Sequence, residues 1–352
     1  MQSVLNYALK EKLSFSRFSL QKSREPIVCF IMNPVLLTLG YLIGIAFGIW
    51  LLSLLMEALR RAPKTPERLR WAPEIPISYV EIVGCRIRYI KTGAGPNLVL
   101  LHTLRTQLDL FEKVIPDLAK TFTVYALDYP GHGYSGIPKA RYDADFFVAA
   151  VEQFLNALDL RNVTLAGVSI GASISFIIAA RHNPRVARAI AINLYDYDKG
   201  RGLGRSSFSA RLTVILSPIP IVGETFNRLR NFLIVRPVLE GGVANPANFP
   251  LELQKEIYET GNRRGHYRGF VSLLRYAESF ERAAGEYKNI TMRIMLIWGD
   301  KDWSRTDERE HDNRLVPGAR VLTIQHGGHF LPLDQPDALI KEIESFMASA
   351  AP

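Results

Sequence analysis

The chain has 352 residues, of which 48% are hydrophobic and 22% charged, with a formal charge of +9 and two cysteines. That balance excludes a disordered chain, and the length accommodates one large α/β domain with insertions. Cys29 lies in an apolar segment and Cys85 in a strand-like one, which argues against a disulfide framework and offers no metal-ligand spacing. The basic excess reads as a solvated surface or as attraction to an anionic membrane face. No compact basic-aromatic motif of a nucleic-acid reader is present, so no nucleic-acid partner is expected.

Residues 1–26 form a basic tail with Arg17, Lys22 and Arg24. No charged residue then occurs from Ile27 to Met56, and "PVLLTLGYLIGIAFGIWLLSLLM" runs from Pro34 to Met56. About 20 apolar helical residues cross a bilayer core, so a single transmembrane helix is expected over 27–58. Tyr41, Trp50 and the glycines of the run suit such a helix. A cleaved signal peptide fits less well, because the leader is long, the apolar run exceeds an h-region and no A-x-A site follows directly. Arg60, Arg61, Lys64, Arg68 and Arg70 follow the run. By the positive-inside tendency they place the C-terminal part on the cytoplasmic side. "RAPKTPERLRWAPEIP" has four prolines in sixteen residues, so residues 59–76 are expected to be a stiff, exposed linker.

From Ile77 the pattern changes. "YVEIVGCRIRYIKTGAGPN" gives two short alternating strands around Gly84. Six continuous apolar strands follow: "NLVLLH" (97–102), "FTVYALD" (122–128), "VTLAGV" (163–168), "RAIAINL" (188–194), "RIMLIWG" (293–299) and "RVLTIQ" (320–325). Helical patterns lie between them, such as 143–160 and 336–349. Strands buried on both faces and alternating with helices predict an α/β fold with a mostly parallel eight-stranded sheet. Almost a hundred residues separate Leu194 from Arg293 without a clear strand. A structureless loop of that length is implausible, so a helical cap is expected over 199–287. The core then falls in two parts, 77–198 and 288–352.

"GVSIG" (167–171) fits G-x-S-x-G and stands between a strand and a helix. A serine on such a turn stands above the sheet edge, where the helix N-terminus offers free N–H groups to a developing oxyanion. A serine hydroxyl is a poor nucleophile and needs a base, and the base needs an orienting acid. Asp300 and Asp302 end one later strand, and His326 and His329 end the last, in the order Ser, Asp, His.

Five motifs in order carry a resemblance: "VGCRIRYIKTGAGPNLVLLH", "LDYPGHGYSG", "GVSIG", "IWGDKD" and "GGHF". Over roughly 77–348 the chain resembles the cap-bearing α/β-hydrolases, which include esterases, lipases, perhydrolases, epoxide hydrolases, dehalogenases and carbon–carbon bond hydrolases. The resemblance implies Ser169 as nucleophile, Asp302 as acid and His329 as base. It leaves His326 as a surface turn residue and Asp300 as a turn-shaping one. Asp196 and Asp198 stay as rivals for the acid, since some relatives place it after the preceding strand. His132 in "DYPGHGYS" is structural by the same likeness, with Gly131 and Gly133 supplying unusual φ values. Epoxide hydrolases and haloalkane dehalogenases of this fold use an aspartate nucleophile, so Ser169 favours an acyl-enzyme.

The family usually has H-G-x after the early strand, and here "LHTLRTQ" places Thr103 where the glycine belongs. The implied oxyanion donors are the N–H groups of Leu104 and Ile170, with the Thr103 hydroxyl available beside them. The polar stretch suggests that Arg105 lines the substrate site, or that Arg105 and Gln107 face solvent. Two alternatives to a serine hydrolase stay open: acyl transfer or perhydrolysis through the same triad, and a non-catalytic binding module. No dinucleotide, phosphate-loop or metal motif is present, so no cofactor is expected. The expected partners are a small acyl substrate and, through the N-terminal helix, the membrane. Apolar cap stretches between arginines point to a lipophilic substrate.

Overall fold

The computed structural model describes residues 34–349. Cys29 and the tail expected over 1–26 lie outside them. The chain divides into two compact units, Met1–Ile49 and Trp50–Pro352. The described part of the first unit is helix, and helix α1 spans Pro34–Ala58. It is long and apolar enough to cross a membrane. The run is rich in leucine and isoleucine, with the aromatic residues Tyr41, Phe47 and Trp50, and its first charged residue is Glu57.

Within the second unit the end of α1 is tied down. Ser53 and Glu57 are buried. The Glu57 carboxylate accepts the Gly265 N–H at 2.6 Å and pairs with Arg60 at 3.0 Å and Arg230 at 3.3 Å. Arg60 donates to Asn262 Oδ1 and to the Arg228 carbonyl, each at 2.6 Å. The exposed linker expected over 59–76 holds only in its first half. Leu69, Ala72 and Ile75 are buried, Arg68 bridges Pro76, and the Trp71 indole donates to Asp109 at 2.7 Å. The proline count concealed apolar residues at every third position, and these join the core beneath the sheet.

The eight strands are β1 (Ile77–Ile82), β2 (Cys85–Thr92), β3 (Asn97–Leu101), β4 (Thr123–Leu127), β5 (Val163–Ser169), β6 (Val186–Leu194), β7 (Arg293–Gly299) and β8 (Arg320–Ile324). They lie in the order β1-β2-β4-β3-β5-β6-β7-β8. β1 pairs antiparallel with β2, and β2 with β4; all other neighbours are parallel. Parallel strands need both faces covered. α2 (Ile115–Leu118) and α13 (Pro336–Ala348) cover one face with Leu118, Leu339 and Phe346. α3 (Ala144–Ala157) and α4 (Ile170–Ala180) cover the other with Phe147, Phe154 and Phe176. Every residue of β5 and of α4 is buried, which explains the unbroken apolar run on each side of Ser169.

Between β6 and β7 the described residues form helices and turns with no strand: α5 (Phe208–Leu216), α6 (Val222–Arg228), α7 (Phe232–Glu240), α8 (Leu251–Gly261), α9 (His266–Tyr276) and α10 (Glu278–Ala284). Side chains cap two of them. Ser207 accepts from Ala210 N–H and Asn231 from Ile234 N–H, which satisfies donors that a helix start leaves free. The remaining helices are α11 (Thr306–Leu315) and α12 (Leu331–Asp334).

Candidate active site

Ser169 is the last residue of β5 and lies one residue before α4, with φ 59° and ψ −116°. A non-glycine residue held there costs roughly 1–3 kcal/mol, so the surroundings must enforce it. They do so by close approach. A Cβ on Gly167 would lie 2.1 Å from the Gly171 carbonyl group, and one on Gly171 would lie 2.3 Å from the Leu101 carbonyl oxygen. Only glycine at both places lets β5, α4 and the end of β3 meet. Ser169 is fully buried, and its Oγ has no hydrogen-bond partner.

The loop after β8 carries His329. Its Nδ1 lies 2.5 Å from Asp302 Oδ1, in the loop after β7. The other carboxylate oxygen, Oδ2, accepts both the Ser304 N–H at 2.9 Å and the Ser304 hydroxyl. Burial alone would raise the Asp302 pKa. The His329 ring and the Ser304 donors outweigh it and hold Asp302 below the usual carboxylate range. An ionised Asp302 makes Nδ1 the protonated nitrogen and leaves Nε2 as an acceptor. Nε2 is buried and has no partner. Thus one side of the imidazole is fully committed, while Nε2 and the Ser169 hydroxyl are both free.

Three features of this loop escaped the sequence. The Trp303 ring stacks on His329 with centroids 3.7 Å apart and planes at 13°, and its indole donates to the Gly241 carbonyl at 2.8 Å. Asn193, at the end of β6, donates to the Gly328 and His329 carbonyls at 3.0 and 3.1 Å and accepts the Gly299 N–H at 2.8 Å. Asp334 accepts the Gly328 N–H at 2.9 Å and the Ala244 N–H at 2.7 Å. The His329 loop is thereby fixed to β6, β7 and the cap at once. Conspicuous as Trp303 is beside Asp302 in "GDKDW", no local pattern reveals its stacking partner.

The loop after β3 carries the remaining candidates. His102 accepts the Tyr129 N–H on Nε2 at 3.1 Å, so its Nδ1 donates to the Thr103 carbonyl at 2.7 Å. Burial keeps this histidine neutral, with its pKa pushed down to about 4. Thr106 Oγ1 donates to the same carbonyl at 2.9 Å. Behind the loop, Asp128 accepts the Leu108 N–H at 2.8 Å and pairs with the fully buried Arg88, which also pairs with Asp109 at 2.9 Å. Arg88 and its two carboxylates brace the loop from below. Thr103 is buried, and its Oγ1 has no partner. The Ile170 N–H opens α4, where the first turn has no intrahelical acceptor.

Arg105 has φ 57° and is not turned out to solvent. Its guanidinium lies over the Phe270 ring at 4.6 Å. It borders a cavity of about 20 Å³ between this loop and α5, α6, α7 and α9. Arg105 is half-buried, whereas Gln107 is fully buried and joins Asp109, Glu256 and Thr260.

The other sequence candidates fall outside this group. His326 is an exposed turn residue with φ 57°, and Asp300 accepts the Gly327 N–H at 3.0 Å. Asp198 pairs with Arg205 at 2.8 Å. Asp196 is buried with neither oxygen hydrogen-bonded, and burial raises its pKa to about 6. His132 packs among Tyr129, Phe147 and His266 with its pKa lowered to about 3, chiefly by burial. Gly131 and Gly133 have φ of 77° and 46°. Among the described residues no group of three His, Cys, Asp or Glu side chains is placed to hold a metal.

The family described as alpha/beta hydrolase fold matches residues 96–336. A 2-(acetamidomethylene)succinate hydrolase of Mesorhizobium japonicum is 22% identical over 76% of this chain and 94% of its own. A haloalkane dehalogenase of Psychrobacter cryohalolentis is 29% identical over 74% of this chain and 87% of its own. Among solved structures, wild-type Cfl2 of Burkholderia cenocepacia superposes with a TM-score of 0.70 at 22% identity, over 81% of this chain and 99% of that one.

Proposed function

The chain belongs to the α/β-hydrolase fold family, and on that premise we propose that it is a serine hydrolase that cleaves an ester or related acyl compound through an acyl-enzyme. One observation carries this reading. His329 is held by Asp302 on Nδ1, while its Nε2 and the Ser169 hydroxyl both stay buried and unpaired. In the first half-reaction Ser169 Oγ attacks the carbonyl carbon and His329 Nε2 takes its proton. Ionised Asp302 stabilises the resulting imidazolium. The carbonyl oxygen, now negative, is received by the Leu104 and Ile170 N–H groups, and the Thr103 hydroxyl is free to add a third donor. Collapse expels the alcohol, which receives the proton from His329. In the second half-reaction water gives a proton to the same nitrogen and attacks the acyl carbon, which frees the acid and restores Ser169.

The chemistry of the nucleophile separates this reading from haloalkane dehalogenation and epoxide opening. A serine that attacked the carbon of an alkyl halide or epoxide would become an ether. Such an ether has no carbonyl for water to attack, and turnover would stop. An acyl-serine has one. The test is a fluorophosphonate probe on the full chain in non-ionic detergent. It should label the wild type, not Ser169→Ala, and label His329→Ala very slowly. Equal labelling of wild type and Ser169→Ala would refute the assignment.

The proposal extends to place. Helix α1 acts as a single-pass anchor with the hydrolase on the cytoplasmic side. The supporting observations are the length and apolarity of α1 and exposed apolar cap side chains, including Phe208, Ile221 and Leu233. The anchor then holds the site close to the bilayer surface. Release of the protein from membranes by alkaline carbonate would contradict the anchor.

A further inference from the structure

The cavity beside Arg105 has an unbalanced charge. Two arginines line it, Arg105 and Arg230, together with apolar walls from Ile234, Val235, Val238 and Phe270. No carboxylate does. Glu57, the carboxylate paired with Arg230, is spent on Arg60, Arg230 and the Gly265 N–H. Arg230 is satisfied as well: besides Glu57, it donates to the carbonyls of Gly261 at 2.8 Å and Asn227 at 2.7 Å.

Arg105 is not satisfied. Its guanidinium makes no hydrogen bond or ion pair among the described residues, and its face lies over the Phe270 ring at 4.6 Å. That ring holds the face of the guanidinium. The N–H donors lie in the plane of the group, so they remain unused. Burial, followed by the charges of Arg230 and Arg60, pushes the Arg105 pKa down to about 9. Arginine does not give up its proton in proteins. The protein therefore carries a half-buried cation without a counterion, a position that favours an arriving anion.

The position of the cavity relates it to the proposed chemistry. Arg105 directly follows Thr103 and Leu104 in the loop after β3. The α7 wall of the cavity leads the other way. Beyond its end, the Gly241 carbonyl receives the Trp303 indole and the Gly242 carbonyl receives the Phe330 N–H at 2.6 Å. Trp303 and Phe330 flank His329. Arg105 thus shares a loop with the segment that would hold the oxyanion, and the helix lining the cavity leads on to the residues packed against the base. The open space of about 20 Å³ is little more than one water molecule needs, so it takes only the tip of an entering group.

We infer that Arg105 is the recognition group for an anionic substrate, one that carries a carboxylate or similar anion a few carbons from the scissile carbonyl. This rests on the hydrolase reading above, but it predicts binding as well as turnover. The Arg105 donors meet the anion in their plane, a charge-assisted geometry that a neutral chain end cannot replace.

The test uses monomethyl adipate and methyl hexanoate, which differ by a terminal carboxylate in place of a methyl. Binding to the full-length Ser169→Ala chain in non-ionic detergent is measured by titration calorimetry. The anionic ester should bind about ten- to a hundredfold more tightly than the neutral one. Adding Arg105→Met should abolish that preference, and adding Arg105→Lys should retain part of it, which separates loss of charge from loss of fold. Equal or tighter binding of methyl hexanoate, binding of neither ester, or a preference that survives Arg105→Met would each overturn the inference. Methanol release by the chain with Ser169 intact is measured in parallel. Binding with the stated preference but no methanol release and no fluorophosphonate labelling would leave the anion site standing and remove the hydrolase reading. Release from both esters with methyl hexanoate preferred would do the reverse.

Discussion

Replacing Asp302 by asparagine removes one charge and changes no volume, and the structure dictates how the new side chain must sit. In the wild type, Oδ2 receives two donors from Ser304, the N–H and the hydroxyl, and Oδ1 receives the His329 Nδ1–H. Asparagine offers one oxygen and one NH₂. If the NH₂ faced Ser304, a buried backbone N–H would be opposed by another donor, at a cost of about 1–3 kcal/mol. The oxygen therefore stays on Ser304, by roughly 5- to 150-fold, and the NH₂ faces His329. The imidazole must then accept on Nδ1 and carry its proton on Nε2. That nitrogen can no longer take the Ser169 proton, and no carboxylate remains to stabilise an imidazolium. Together these effects should lower kcat/KM by about 10⁴, or roughly 5 kcal/mol of transition-state stabilisation. The assay is kcat/KM on any ester the wild type cleaves, with the fluorophosphonate labelling rate as a second measure. Asp300→Asn and Asp196→Asn, neither of which touches His329, should retain most activity. An Asp302→Asn variant within tenfold of wild type would refute the tautomer argument and the role of Asp302.

Gly167→Ala should cost about 1–3 kcal/mol and most of the activity, because its Cβ would meet the Gly171 carbonyl group at 2.1 Å; thermal unfolding and labelling measure the two losses separately. Asp312 is buried with Oδ2 unpaired, and burial, then Asp196 and Glu308, push its pKa to about 9. A carboxyl raised above its unfolded value of about 4 contributes stability below pH 4 that is lost as pH rises toward 9. Asp312→Asn should therefore unfold at a higher temperature than wild type at pH 8–9 and show little difference near pH 4. Glu57→Ala leaves the buried Gly265 N–H and the Arg230 guanidinium without their carboxylate, so it should destabilise the protein by about 2–4 kcal/mol, read as a lowered unfolding temperature in detergent.

The strands of the sheet, the helical cap and the Ser169 turn were legible in the sequence because each is written in nearby residues. Strands buried on both faces appear as unbroken apolar runs. The turn needs glycine at 167 and 171, within two residues of Ser169 on either side. Helix α1 was legible for the same reason, as a long run without charge. The rest depends on residues that meet only after the strands have assembled. The resemblance implied Asp302 as the acid but kept Asp196 and Asp198 as rivals, and the convergence of the β7 and β8 ends puts Asp302 alone against His329. Asn193 reaches carbonyls 135 and 136 residues further along the chain, and Arg60 reaches Asn262 across 202. Likewise, prolines mark 59–76 as a spacer, whereas docking on the core buries Leu69, Ala72 and Ile75. Arg105 was legible as a polar residue in an unusual loop, but its lack of a counterion was not. Local periodicity records which face of an element is covered; which charge finds a partner, and which is left without one, is decided by packing between segments far apart in the chain.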